Sequence, residues 1–295
     1  MSSTQQLLNL HKAYNLKLKI DLDIPFINKF KDNVYDLDIR NNQSLDTSEK
    51  LKGYRLNIIE GLYEKPEQLI TYHKKADLFY KFLNKKISRT DAYFKLLSHP
   101  IALSLFQKGE YVLHASAIEI NNEAYIFIGP SGSGKSTIVS KLLKYGNLIT
   151  EDIARIELGN DKTYIFPSIP IIKLDESSEK STITDIKEKF SIAGDVRKRK
   201  GFIVNNFDKT NKKVPIKICF VLQESNRNLI KHMSENEVFK NLFLNSFCAL
   251  PKHACMKSEK QLLDNISNFL KKTKIMALEN LHDHNIEHLI KFLKL

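Results

Sequence analysis

The sequence has no tryptophan and only three cysteines, Cys219, Cys248 and Cys255, in 295 residues. Thiols so few and odd in number exclude a disulfide framework and agree with a reducing compartment. No apolar run approaches the length needed to cross a bilayer. The stretch from Met1 to Phe30 is interrupted by His11, Lys12, Lys17, Lys19, Asp21 and Asp23, so it lacks the unbroken apolar centre of a signal peptide. A cytoplasmic protein with no membrane partner is expected. Internal repeats and low-complexity segments are absent too, which removes solenoid and linker-like organisations.

What is present is the composition of a folding chain: 42% hydrophobic and 27% charged residues, a balance unlike that of disordered or fibrous proteins. The length suits one large domain with an appendage, or two domains of ordinary size. The formal net charge of +12 would suit a polyanionic partner if it were clustered. Most lysines are instead scattered among Asn and Ile, and the one compact basic run is Arg197-Lys198-Arg199-Lys200. A solvated surface explains the charge, and no nucleic-acid partner is expected. That run is either a solvated loop or a binder of a phosphoryl group or an acidic substrate.

The first part mixes alternating stretches such as Leu16-Lys17-Leu18-Lys19-Ile20 with amphipathic segments such as Leu78 to Leu83. It reads as a smaller α+β domain over residues 1–95, followed by a helix from about Tyr93 to Gln107 that leads into a second domain over 96–295. There the pattern sharpens. Val112 to Ile120 is β-rich, Asn121-Asn122 is a turn pair, and Ala124 to Ile128 is β-rich again. Gly129 to Gly134 interrupts, and Lys135 to Tyr145 has helical apolar spacing closed by Gly146. Strands are expected at Leu148–Thr150, Ile153–Leu158, Tyr164–Phe166, Ile171–Leu174, Phe202–Val204 and Ile216–Leu222, with a polar turn over Asn205 to Lys213. Helices are expected at Glu235–Phe247, Glu259–Lys272 and His284–Leu293, with a strand at Ile275–Leu278.

Gly129-Pro130-Ser131-Gly132-Ser133-Gly134-Lys135-Ser136 matches the pattern G-x-x-x-x-G-K-[ST] in full, in the strand-then-helix setting that the pattern requires. A loop that wraps its N–H groups around phosphate needs residues without Cβ where it bends close to the ligand, hence Gly129, Gly132 and Gly134. The helix that follows adds its positive end. Lys135 is expected at the β- and γ-phosphates, the Ser136 hydroxyl on Mg²⁺, and Thr137 beside the α-phosphate, so ATP and Mg²⁺ are the expected cofactors.

A protein that only hydrolyses ATP positions a water, whereas a kinase needs a carboxylate to take a proton from the attacking hydroxyl. Glu151-Asp152 follows the strand Leu148–Thr150, where neighbouring parallel strands would present their carboxyl ends to the P-loop. Adjacent side chains on an extended segment point to opposite faces, so the two acids address one atom only if the chain turns there. Asp152 is the one favoured for chemistry, with Ser136 and Asp152 as candidate metal ligands.

Three blocks resemble the catalytic domain of HPr kinase/phosphorylase, and more closely the HPr kinase-like proteins encoded with peptide-modification genes, including lasso-peptide kinases. These are Val112-Leu113-His114-Ala115-Ser116-Ala117, Phe127 through Thr137, and Gly146 through Asp152. The resemblance covers about Pro100 to Leu158, and beyond that only the order of elements. It implies a P-loop α/β kinase core in which Asp152 accepts the proton of a substrate serine and His114 is the active-site histidine. It also implies a homo-oligomer. Read without it, His114 is a lone histidine in a β-rich segment, more often structural than catalytic. Two departures narrow the expectation. Glu151 stands where the family has an aspartate, and Ile169-Pro170-Ile171-Ile172-Lys173-Leu174 replaces a glutamate-containing signature. That argues against HPr as acceptor and against the phosphorylase reaction.

The expectation is therefore a kinase acting on a serine of a peptide or protein. Its alternatives are a small-molecule kinase of the same fold and a regulatory P-loop ATPase or nucleotide switch. Cys248, His253 and Cys255 are set aside as a metal site because Leu250-Pro251 interrupts them. His282, His284 and His288 are set aside as a polar helix start.

Overall fold

The computed structural model describes residues 8–32, 34–41, 55–56, 60–65, 69–74, 77–82, 88–175, 178, 186–193, 195–207, 212–225, 227, 229–247, 259–280 and 286–295. Cys248, His253, Cys255, His282 and His284 lie outside them. Within them the chain is a mixed α/β protein with three sheets.

The first sheet holds β1 (Leu8–Ala13), β2 (Leu16–Ile20), β3 (Asn28–Asp32), β4 (Leu37–Asn41), β5 (Arg55–Leu56), β6 (Glu60–Lys65), β7 (Leu69–Lys74) and β8 (Asp77–Phe82), in the order β3-β1-β2-β4-β8-β7-β6-β5. Two helices follow, α1 (Arg89–Leu97) and α2 (His99–Gln107). The sequence predicts one helix from about Tyr93 to Gln107, and the structure divides it at Ser98. Pro100 has no N–H to offer the Leu96 carbonyl, and its ring would clash with that carbonyl in a continuous helix. In α2 the proline occupies the first turn, where its missing N–H costs nothing.

The second sheet contains β9 (Tyr111–Leu113), β10 (Ala115–Ile120), β11 (Glu123–Ile128), β12 (Asn147–Thr150), β13 (Ala154–Leu158), β14 (Thr163–Ile165), β18 (Val214–Glu224), β19 (Leu229–Lys231) and β20 (Lys274–Asn280). A third, small sheet is β15 (Ile171–Leu174), β17 (Lys200–Val204) and β16 (Ile186–Ser191), in that order. The helices are α3 (Lys135–Leu142), α4 (Glu235–Asn245), α5 (Glu259–Lys272) and α6 (Glu287–Leu293). The hairpin β10–β11 turns through Asn121 and Asn122, with φ of 53° and 61°, the pair of positive angles that a two-residue type I′ turn demands and asparagine tolerates.

The expected strand Val112–Ile120 is interrupted at His114, whose N–H leaves the ladder to donate to the Asn245 carbonyl at 2.7 Å. β9 pairs with β13, whereas β10 pairs with β11 and β12. β12 does not lie next to β11 as a parallel neighbour. Antiparallel β10 separates them, so β11 and β12 run the same way and end at the same edge. β16 is not legible in the sequence, because Ile186-Lys187-Glu188-Lys189-Phe190-Ser191 lies largely exposed and has no apolar run.

Side chains alternate across the central strands. Phe127 and Phe220 stack at 5.5 Å and join Ile138 and Leu142 of α3 in one core, while Ile126, Ile128 and Val221 face Leu242 of α4 and Ile266 and Phe269 of α5 in another. A third core joins the first sheet to the rest: Leu16, Leu18 and Ile39 pack with Phe94, Leu97 and Ile101 and with Ile153, Ile169 and Phe247. The β1–β2 turn is its wedge. Tyr14 is 1% exposed, its hydroxyl donates to the Leu97 carbonyl at 2.9 Å, and its N–H donates to the Pro167 carbonyl at 3.0 Å.

Candidate functional site

β11 delivers the chain to the glycine loop and α3 takes it away, so Gly129 to Gly134 crosses the sheet edge as an open turn. Gly132 and Gly134 have φ of 94° and 88°, a region closed to most L side chains. Gly134 is also the residue before the first turn of α3 and offers no side-chain cap to the first amides of that helix. Asn245, at the end of α4, fixes the start of the loop by accepting the Gly129 N–H on Oδ1 at 3.1 Å. Its carbonyl holds His114, so one residue registers both segments.

The Lys135 side chain is buried and folds back along the loop, donating to the carbonyls of Gly129 at 2.7 Å and Pro130 at 3.0 Å. Burial pulls its ammonium down to about 8, against the opposing pull of Asp152 and Glu151. Ser136 Oγ donates to Glu151 Oε1 at 2.7 Å. The Thr137 hydroxyl is 3.1 Å from that of Ser178. Gly129, Pro130, Ser131, Gly132, Gly134, Lys135, Ser136 and Thr137 all border one cleft of about 800 Å³. Ser133 is the exception: its hydroxyl is buried with no hydrogen-bond partner.

Glu151 and Asp152 follow β12 and border the same cleft. The chain does turn between them: Asp152 has a φ of 79°, so two adjacent side chains reach one atom. That atom is Nζ of Lys173 on β15, 2.6 Å from Asp152 Oδ2 and 3.6 Å from Glu151 Oε2, with all three side chains almost closed to solvent. Burial alone would raise the Asp152 carboxyl, but Lys173, then His114 and His99, outweigh it and hold the group well below the usual carboxylate range. Glu151 moves the other way. Burial raises it, Lys173 offsets this in part, and the neighbouring Asp152 charge adds to the rise. Lys173 stays protonated because the two acids outweigh its own burial.

His114 places Nδ1 3.3 Å from Asp152 Oδ1, with about a third of its side chain (36%) open to the cleft. Burial lowers its pKa, opposed by the Asp152 charge. The geometry thus brings together the glycine loop, Lys135, Ser136, Thr137, Asp152 and His114. It sets Ser136 on Glu151 and gives Asp152 to Lys173 and His114. Sequence reasoning passed over Lys173 and Asn245. The first left one signal: it is the only charge in the apolar run Ile169 to Leu174, and an unpaired lysine is too costly to bury. Among the described residues, no group of three or more His, Cys, Asp or Glu side chains could hold a metal ion.

The opposite wall comes from α1 and α2, with Phe94, Ser98 and His99, and from the loop after β16, with Arg197 and Arg199. Arg199 is committed to Asp195 at 2.7 Å, and Lys200 donates to Ser191 Oγ at 3.0 Å.

No family model matches this chain, and no curated protein matches it. Among solved structures, the Hpr(Ser) kinase/phosphatase from Coxiella burnetii aligns at 12% identity over 42% of this chain, with a TM-score of 0.27. The alignment takes in 64% of that protein's length. Neither fold nor activity is inferred from so loose a likeness. No helix among the described residues is long and apolar enough to cross a membrane.

Proposed function

We propose that this chain is an ATP- and Mg²⁺-dependent phosphotransferase that moves the γ-phosphoryl group to a hydroxyl, a serine of a peptide or protein. The observation that carries this reading is the convergence of Glu151 and Asp152 on Lys173 beside a cleft that the glycine loop, Lys135 and Ser136 also line. The loop and the helix start supply backbone donors for phosphate, and Lys135 supplies a mobile positive charge. A P-loop ATPase or switch also keeps an acid beside the loop for its metal and water, so the acceptor of the phosphoryl group is what separates the two readings.

The donor set fits a hard cation. Ser136 Oγ and Glu151 Oε1 already touch, and Glu151 Oε2 is buried with no hydrogen-bond partner, so these two residues would hold Mg²⁺ through oxygen. When bound, that ion offsets charge on the phosphoryl oxygens. Asp152 faces the acceptor. In the reaction the acceptor oxygen bonds to the γ-phosphorus, the bond from that phosphorus to the β–γ bridging oxygen breaks, and the hydroxyl proton passes to Asp152, with the His114 ring 3.3 Å away to share it. A carboxylate held ionised by Lys173 is a weak base. In a loose transition state that suffices, because the proton leaves late and positioning does most of the work. Residues 1–95 would present the acceptor; Phe94 and Lys95 of α1 already line the cleft.

The test is incubation with γ-labelled ATP and Mg²⁺, with and without a cell lysate, for wild type and Lys135→Ala. Label on a protein or peptide band that vanishes with Lys135→Ala supports the reading. Label released only as free phosphate replaces it with an ATPase switch.

A further inference from the structure

Of the four basic side chains in Arg197-Lys198-Arg199-Lys200, the structure singles out one. Arg199 is bonded to Asp195, Lys200 to Ser191, and Lys198 is exposed with a φ of 54°. The Arg197 guanidinium has no acidic partner among the described residues and lies against the glycine loop: a Cβ added to Gly132 would come within 3.2 Å of its Nη1.

Arg197 and Lys135 therefore face the same stretch of loop with nothing negative bonded to either. Lys135 is held only by neutral carbonyls, and the charge of Arg197 works against it. Asp152 and Glu151 offset the Lys135 charge from a distance, but no carboxylate of a described residue bonds to either cation, so both keep donors for an anion that enters the loop. Nor is Arg197 on a loose end. Asp195 accepts the Arg197 and Arg199 backbone N–H groups at 3.0 and 3.3 Å and the Nε and Nη2 donors of the Arg199 side chain. Upstream, Ala193 donates to Asp91 at 2.9 Å and accepts from Lys95 at 2.7 Å, which ties the loop to α1. The arginine is thus delivered by a scaffold that does not use its side chain.

We propose that Arg197 is a phosphate-binding residue supplied in cis, which engages the terminal phosphate of the nucleotide held by the glycine loop and distinguishes ATP from ADP. The inference rests on the nucleotide reading above. A planar guanidinium suits two oxygens of one phosphate and is worth more than a point charge there.

The experiment is competition of ATP and ADP against a fluorescent ADP analogue for wild type, Arg197→Gln, Arg197→Lys and Lys198→Gln. Because the Arg197 side chain supports none of the loop's hydrogen bonds among the described residues, the glutamine variant should fold as wild type. Arg197→Gln should weaken ATP about tenfold or more, the loss of one charge-assisted contact, and leave ADP within about twofold, with Arg197→Lys between and Lys198→Gln unchanged. An unaltered ATP-to-ADP ratio in Arg197→Gln, or an equal loss in Lys198→Gln, would overturn the inference while leaving nucleotide binding intact. Failure of wild type to bind either nucleotide would overturn the functional reading and this inference together.

Discussion

Lys173 Nζ stands between the two acids of the site, 2.6 Å from Asp152 Oδ2 and 3.6 Å from Glu151 Oε2. The ammonium keeps Asp152 ionised, whereas burial raises Glu151 and Lys173 offsets that rise only in part. Its aliphatic stem sits in a buried strand, and its charged end is 5.5 Å from the centre of the Phe94 ring.

Lys173→Met should therefore do more harm than the loss of a surface lysine. It strands two buried carboxylates, a change that costs on the order of 3–5 kcal/mol when one member of a buried pair is removed. Adding Asp152→Asn to it should recover part of that loss. Thermal or urea unfolding of the two single variants and the double variant checks the coupling, and strict additivity would show that the lysine does not act through Asp152.

Ser136→Ala removes the hydroxyl bonded to Glu151 without touching the loop amides. Nucleotide affinity measured in chelator should stay within about threefold, whereas the gain on adding Mg²⁺ should largely disappear, since one of two protein oxygens for the ion is gone. Calorimetric titrations with and without Mg²⁺ separate the two terms. An undiminished Mg²⁺ effect would move the ion away from Ser136.

Burial lowers Lys135 to about 8 in the free protein, and a phosphate bound against the ammonium raises that value. Binding then takes up a proton above pH 8. Affinity should be flat below about pH 7 and fall, by at most tenfold per unit, as pH rises from 8 toward the higher bound-state value. Lys135→Arg keeps its charge throughout and should flatten the slope. ADP titrations in chelator between pH 6.5 and about 9.5 read this directly.

Part of the candidate site was legible because a glycine loop between a strand and a helix is a local device: Gly129 to Ser136 stands out by residue type and spacing alone. The hairpin through Asn121-Asn122 and the helix Glu259–Lys272 were legible for the same reason. Asp152 was singled out by its place after a strand, but its contact with Lys173 was not foreseen. Lys173 reaches it from a sheet whose pairing joins residues 171–174 to 200–203, a contact no local pattern encodes. The positive φ at Asp152 that turns both acids inward leaves no trace in composition either. The break at Ser98 could have been read from Pro100.

The turn between β1 and β2 ties the N-terminal sheet to the end of α1. Tyr14→Phe deletes the buried hydroxyl that donates to the Leu97 carbonyl and leaves that carbonyl unpaired, at a cost of about 1–3 kcal/mol. Tyr14→Ala adds the loss of the ring itself, for a total nearer 3–5 kcal/mol. Denaturant unfolding that showed neither variant destabilised would mean that the wedge is not part of the folded core.

The central claim is that the loop holds the nucleotide and the acid pair directs its phosphate. It is tested most directly by measuring nucleotide affinity and transfer from γ-labelled ATP on the same preparations of wild type and Asp152→Asn. The account predicts nucleotide affinity within about threefold of wild type and transfer reduced by about 10²-fold or more. Transfer at the wild-type rate in Asp152→Asn would contradict it.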